Sequence, residues 1–116
     1  MRTASAWLVV FWMAVYPAWG QEGETAGLVR RGHFLAIKIC AVCHVAGPDQ
    51  PAKPMMNPPA PSFESIAQRK HVDAASLKNF MNTTHRGLDH PKGMPNPDLM
   101  DDQVEEVVAY ILSLRK

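Results

Sequence analysis

The pentapeptide from Cys40 to His44 constrains the fold more than any other feature, because it contains both cysteines of the chain. Two thiols and an imidazole lie within one short segment. Three kinds of site use closely spaced cysteines: a dithiol redox motif, a zinc site and a structural disulfide. The redox motif needs a βαβ setting and zinc needs further ligands, neither of which the sequence offers. A disulfide would leave the histidine without a role.

The order cysteine, two residues, cysteine, histidine is the pattern through which c-type haem is attached. Two thiols on one helical turn can add to the two vinyl groups of a haem, and the adjacent imidazole then reaches the iron. We therefore predict one haem c, covalently bound through Cys40 and Cys43, with His44 as the proximal iron ligand. A cofactor also suits a small chain, which buries too little apolar surface by itself.

The amino-terminal segment 1–20 has the pattern of a cleaved signal peptide. Arg2 precedes an almost unbroken apolar run, and Ala18 and Gly20 supply the small residues that a signal peptidase requires. The run is too short to cross a bilayer comfortably, although an uncleaved membrane anchor is the alternative. We expect an exported, periplasmic protein whose mature domain is 21–116, with no stable membrane insertion after cleavage.

The charge balance argues against one class of partner. The chain has 12 basic and 11 acidic side chains, and removal of the segment 1–20 takes away one arginine, so the two signs then cancel. A nucleic-acid-binding domain is usually strongly basic on one face. We therefore expect no nucleic-acid partner. All three tryptophans lie in the segment 1–20, so the core of the mature domain is predicted to be mainly aliphatic.

The spacing of apolar residues predicts helices and no strands. Residues 28–39 place an apolar residue or a glycine every three or four positions, which forms one face of a helix. Ser62 and Asp73 are placed to cap two short helices. A last helix is predicted to begin near Asp101 or Asp102 and to end in basic residues, as the helix dipole prefers. Its apolar face consists of Val104, Val107, Val108, Ile111 and Leu112.

Two proline-rich loops separate these helices. Six prolines between residues 45 and 61 exclude a regular helix or central strand there. A second loop, residues 84–98, holds Met94 between Gly93 and Pro95. A thioether ligand raises the potential of haem iron and suits an electron carrier, so we predict Met94 as the sixth ligand. The competing candidates are Met55, Met56, Met81 and Met100, or His85 and His90 in bis-histidine iron.

With these residues in place, the chain resembles the class I monohaem c-type cytochromes, a family of small soluble bacterial proteins. The matching pieces occur in family order: Gly32 before Cys40, then CAVCH, APSF, KGMP and VVAYILSL. The resemblance implies an all-α, cytochrome c-like fold with about four helices packed around one covalently attached haem, joined by long proline-rich loops. It also implies that Gly32 and Ala36 pack against Val107 and Tyr110 of the last helix.

The resemblance to this family bears on four further residues: Pro61, Arg69, His71 and Met100. Pro61 matches a proline whose carbonyl accepts a hydrogen bond from the proximal imidazole, which would orient His44. Arg69 or His71 is expected to hold a haem propionate, because the mature chain has no tryptophan for that task and a basic group offsets the desolvation of a carboxylate. Met100 occupies a position where the family often has a serine cap.

The function implied by the resemblance is transfer of single electrons between redox partners, without enzymatic activity. The protein would act as a monomer that docks briefly to redox proteins, with Lys53, Arg86 and Lys92 as contact charges. Two alternatives remain at this point. One is a cytochrome subunit of a larger oxidoreductase complex, and the other is a haem enzyme or gas sensor with a labile sixth ligand.

Overall fold

The computed structural model describes residues 19–83, 85, 87, 89 and 91–116, with side chains from residue 23 onward. The predicted signal segment 1–20 lies outside the described residues except for its last two, which form the start of the first helix. Cleavage after residue 20 therefore stays a prediction.

The described chain forms four α-helices: α1 (Trp19–Ile39), α2 (Phe63–Ala67), α3 (Ala74–Met81) and α4 (Asp101–Ser113). A short 3-10 turn, Cys40–Val42, follows α1 directly. Among the described residues there is no strand, and the β-type pairing consists of one isolated bridge between His44 and Ala60. The prediction of an all-α fold with long loops is confirmed.

The first helix is longer than the apolar spacing predicted. α1 begins at residue 19 rather than at residue 28. The prediction missed its first turns because they carry no apolar stripe and residues 23–26 are exposed. Apolar periodicity detects only the part of a helix that packs against something. None of the helices in the described part of the chain is long and apolar enough to cross a membrane.

The two short helices begin at the predicted caps. The Ser62 hydroxyl accepts a hydrogen bond from the Ser65 amide at 3.2 Å, at the start of α2. Asp73 and Ser76 form a reciprocal capping box at the start of α3, with hydrogen bonds of 2.7 and 2.9 Å. The hydrogen bonds from Ser76 hold the pKa of the Asp73 carboxyl below its ordinary value. Both helix starts are therefore determined by local sequence.

The crossing of α1 and α4 is the main packing contact of the fold. A Cβ atom added to Gly32 would overlap the backbone carbonyl of Glu106 and touch Tyr110, so only glycine allows this close approach. Arg31 forms an ion pair with the Glu106 carboxylate beside the crossing. The predicted crossing is confirmed, with the Glu106 backbone at the point of closest approach.

The core is small and aliphatic, as predicted. Among the described residues, α4 supplies nearly half of the buried hydrophobic side chains, and Val104 and Val107 are the largest side chains that are fully buried. The buried hydrophobic residues of the described part of the chain are Ala36, Ala46, Phe63, Ala67, Leu77, Met81, Val104, Val107, Val108, Tyr110 and Ile111.

The basic residues near the carboxyl terminus act differently from the prediction. α4 ends at Ser113 without a basic residue in its last turn. Arg115 instead donates hydrogen bonds to the carbonyls of Ala67 at 2.9 Å and Val72 at 2.6 Å. Ala67 is the last residue of α2, where carbonyls lack helical partners, and Val72 lies in the connection to α3. Arg115 therefore ties the α2 end to α4.

Candidate haem-binding site

The attachment segment is folded as one tight turn. The amides of Cys43 and His44 both donate to the Cys40 carbonyl, at 3.1 and 2.9 Å, so the two thiols and the imidazole lie on a single turn after α1. Both cysteines are free and half-buried. This is the compact donor set that covalent attachment to the two vinyl groups of one haem requires.

The state of the Cys40 thiol argues against a dithiol redox site. Burial, and then the neighbouring Cys43, raise the pKa of Cys40 from 9.0 to about 11. Reactive cysteines of redox motifs have a lowered pKa, because the thiolate is the nucleophile. The described residues also include no group of three or more histidine, cysteine or acidic side chains placed to hold a metal ion. The redox motif and the zinc site therefore both fit this turn worse than haem.

The His44 ring is oriented by the Pro61 carbonyl. Its Nδ1 lies 2.6 Å from that oxygen, and since a carbonyl only accepts, Nδ1 carries the proton and donates. The neutral ring then keeps its lone pair on Nε2, the atom that can bind a metal. The Phe63 ring packs beside the imidazole, with centroids 5.4 Å apart. The predicted contact between Pro61 and His44 is present.

The proline-rich loop is attached to the cysteine turn by backbone hydrogen bonds. Met55 donates to Val42 at 2.9 Å, and Ala60 donates to Cys43 at 2.9 Å. Further along the loop, the amide of Phe63 donates to the Val45 carbonyl at 3.0 Å. The loop thus folds back along the attachment segment and brings the Pro61 carbonyl to His44.

Gln50 closes this loop by side-chain hydrogen bonds, a role that no sequence pattern predicted. Its side-chain oxygen accepts from the Ala46 amide at 2.9 Å. Its side-chain nitrogen donates to the carbonyls of Ala41 at 3.2 Å and Ala52 at 2.6 Å. One amide side chain therefore forms hydrogen bonds with three backbone groups around the attachment turn.

The segment after His44 is also held to α1 and α4. His33 pairs with the Asp49 carboxylate at 2.9 Å, and the hydrogen bond from His33 lowers the pKa of Asp49. The Tyr110 hydroxyl donates to the Ala46 carbonyl at 2.8 Å. Burial, with a smaller contribution from Asp49, raises the pKa of Tyr110. These contacts join residues far apart in sequence, so no local pattern pointed to them.

Met94 lies half-buried and packs against the core, and its carbonyl accepts a hydrogen bond from the His85 amide at 2.8 Å. The competing methionines have other environments. Met81 is buried in the core at the end of α3, while Met55 and Met100 are 85% and 63% exposed. Met56 is half-buried in the first loop. Met94 is thus a half-buried methionine of the second loop, and its ligation of the haem iron stays a prediction.

The charged candidates lie on the surface. Arg69 and His71 are exposed in the connection between α2 and α3, and Lys53 and Lys92 are exposed in the two loops. Their roles toward a propionate or a redox partner stay predictions. Arg86 and His90 lie outside the described residues.

Residues 29–115 match the family model described as Cytochrome c, which covers the attachment turn, both loops and all of α2, α3 and α4. The chain belongs to the cytochrome c family. Membership means a covalently attached haem c, and Cys40 and Cys43 are the two cysteines available to hold it. Cytochromes c are generally haem-based electron-transfer proteins rather than enzymes. Comparison with curated proteins and with solved structures gave no match.

Proposed function

We propose that this cytochrome c is a periplasmic carrier of single electrons with one haem, bound through Cys40 and Cys43 and ligated by His44 and Met94. The observation that carries the proposal is the 2.6 Å hydrogen bond from His44 Nδ1 to the Pro61 carbonyl. It fixes the tautomer and the orientation of a ring that follows directly after the second cysteine. A metal-binding imidazole is usually supported by such a hydrogen bond on its other nitrogen.

The chemistry that haem supplies when bound is a one-electron ferric–ferrous couple. The residues of the chain provide the ligands and keep them in place. Pro61 and the backbone hydrogen bonds of the first loop hold His44, and the second loop holds Met94. Rigid ligand positions suit an electron carrier, because little needs to rearrange when the charge on the iron changes. Arg69 is the proposed partner of a propionate.

The proposed partners are redox proteins that dock briefly, without a stable complex. Transient redox encounters have small contact areas and depend on local charge. Lys53 and Lys92 are exposed and carry the charges for such contacts. The proposed location is the periplasm, which follows from the apolar and small-residue pattern of the segment 1–20. We propose a monomer, since the work requires no second copy.

The first test is the visible spectrum of the ferric holoprotein and of a Met94→Ala variant. Wild type is expected to show the weak long-wavelength charge-transfer band of thioether-bound ferric iron and a reversible one-electron wave in voltammetry. The Met94→Ala variant should lose the band, show a lower midpoint potential and bind carbon monoxide rapidly when reduced, because a thioether ligand raises the potential and fills the sixth position.

The matched control is Met55→Ala, which removes an exposed methionine from the other loop. This variant should keep the band and the potential of wild type. If the band survives in Met94→Ala, the ligand assignment is wrong, and its loss in Met55→Ala would point to the first loop instead. Rapid carbon monoxide binding to reduced wild type would favour a haem enzyme or gas sensor over an electron carrier.

A further inference from the structure

The second loop, which carries Met94, is closed by a backbone hydrogen bond from a residue that follows shortly after α3. The amide of His85 donates to the Met94 carbonyl at 2.8 Å. α3 is itself held in the fold, because Leu77 and Met81 are buried and the helix packs on α4. His85 follows shortly after α3, so its amide holds the segment with the proposed sixth ligand close to the packed part of the molecule.

The ring of His85 is fixed by the last turn of α3. It stacks on Phe80, with ring centroids 3.8 Å apart and planes inclined by 12°. Its Nε2 lies 3.1 Å from the Thr83 hydroxyl and 3.2 Å from the Phe80 carbonyl. The Thr83 hydroxyl donates back to the Asn79 carbonyl at 3.1 Å, so its oxygen is left to accept. Nε2 therefore carries the proton and donates toward both oxygens.

These contacts orient the backbone and bury little apolar surface. His85 is exposed, and 43% of the surface of Phe80 is accessible to solvent. A stacked and hydrogen-bonded ring nevertheless holds the Cα atom of His85 close to the end of α3, and this restricts where its amide can lie. The direction of that amide decides whether the Met94 carbonyl keeps its partner.

We propose that His85 is a positioning residue for Met94. Its ring, held by Phe80 and Thr83, aligns the amide that holds the Met94 carbonyl and so slows the release of the Met94 sulfur from the iron. The inference rests on the proposed role of Met94 as sixth ligand. Because Nε2 of His85 is bonded to the end of α3, the geometry also favours this supporting role over direct ligation by His85.

The test is the rate at which imidazole displaces the sixth ligand of the ferric holoprotein, followed by visible absorption at one fixed neutral pH. Loss of both the stack and the hydrogen bond in His85→Ala should speed displacement about tenfold. His85→Phe keeps a ring that can stack on Phe80 and loses only the N–H donor, so its rate should fall between wild type and His85→Ala.

The matched control is His33→Ala, since the His33 ring likewise combines a hydrogen bond, to Asp49, with a ring contact, to Tyr110. It should lower thermal stability and leave the displacement rate unchanged. Equal rates in His85→Ala and wild type would overturn the inference, as would equal acceleration in both alanine variants. If the wild-type holoprotein lacks the thioether charge-transfer band, the ligation by Met94 is wrong, and the inference about His85 is overturned with it. If the band is present and the displacement rates are equal, only the role of His85 is wrong.

Discussion

Gln50 shows how one side chain can replace secondary structure around the attachment turn. The loop of residues 45–61 is rich in proline, so many of its residues lack an N–H and cannot form a regular ladder. Buried backbone groups still need partners. The Gln50 amide supplies both a donor and an acceptor, and it joins Ala41 at the cysteine turn to Ala46 and Ala52 in the loop.

The pair of His33 and Asp49 predicts a defined pH dependence of stability. The hydrogen bond from His33 holds the pKa of Asp49 below its ordinary value of 3.8. A carboxyl group whose pKa is lowered by folding stabilises the fold at every pH above its pKa in the unfolded chain. This stabilisation is lost as the pH falls through the lowered pKa of the folded protein. Asp49→Asn should therefore be less stable than wild type at neutral pH, and the difference should disappear in strong acid.

Chemical denaturation across the pH range would measure this effect, with Glu24→Gln as a control that removes an exposed acid from the first turns of α1. The control should follow the wild-type curve. A constant difference between Asp49→Asn and wild type down to the lowest pH would show that the carboxylate charge does not contribute to stability. The effect is expected to be small, because both side chains contact solvent.

Substitution by alanine is expected to change the stability of the fold in opposite directions at two glycines of α1. Gly32→Ala forces a Cβ into the Glu106 backbone, so α1 and α4 must separate, at a cost of about 1 to 3 kcal/mol. Gly23→Ala adds a Cβ where no atom lies within 4 Å, so it should stabilise α1 by about 0.5 to 1 kcal/mol. Thermal unfolding of both variants measures this contrast. Destabilisation of similar size in both would contradict the close crossing.

Helices with a local signal were predicted well from the sequence. The caps at Ser62 and Asp73 depend on residues three positions apart, and the apolar face of α4 depends on spacings of three and four. The start of α1 was missed, because its exposed turns carry no stripe. The partners of Gln50 and His33 were missed because these contacts depend on how the loop folds back. The Pro61 contact was reached through family resemblance, since 17 residues separate it from His44.

The molecule as a whole depends on a core with few large side chains. Within the described part of the chain, the largest side chains that are fully buried are two valines, Val104 and Val107, while Phe80 and Ile39 are about 40% exposed or more. A small domain with so little aliphatic core usually requires a cofactor, a metal or cross-links for stability. In a cytochrome c the two thioether bonds make haem both a cofactor and a cross-link.

The haem-free chain is therefore expected to be far less stable than the matured protein. A Cys40→Ser and Cys43→Ser double variant should unfold with a broad transition, or be on the order of 3 kcal/mol less stable, as after loss of a covalent cross-link. Circular dichroism during heating measures the transition. The control is the wild-type chain produced without haem maturation, which should match the double variant because loss of haem rather than of thiols is the cause. A sharp transition at the holoprotein midpoint would show that the polypeptide core is sufficient.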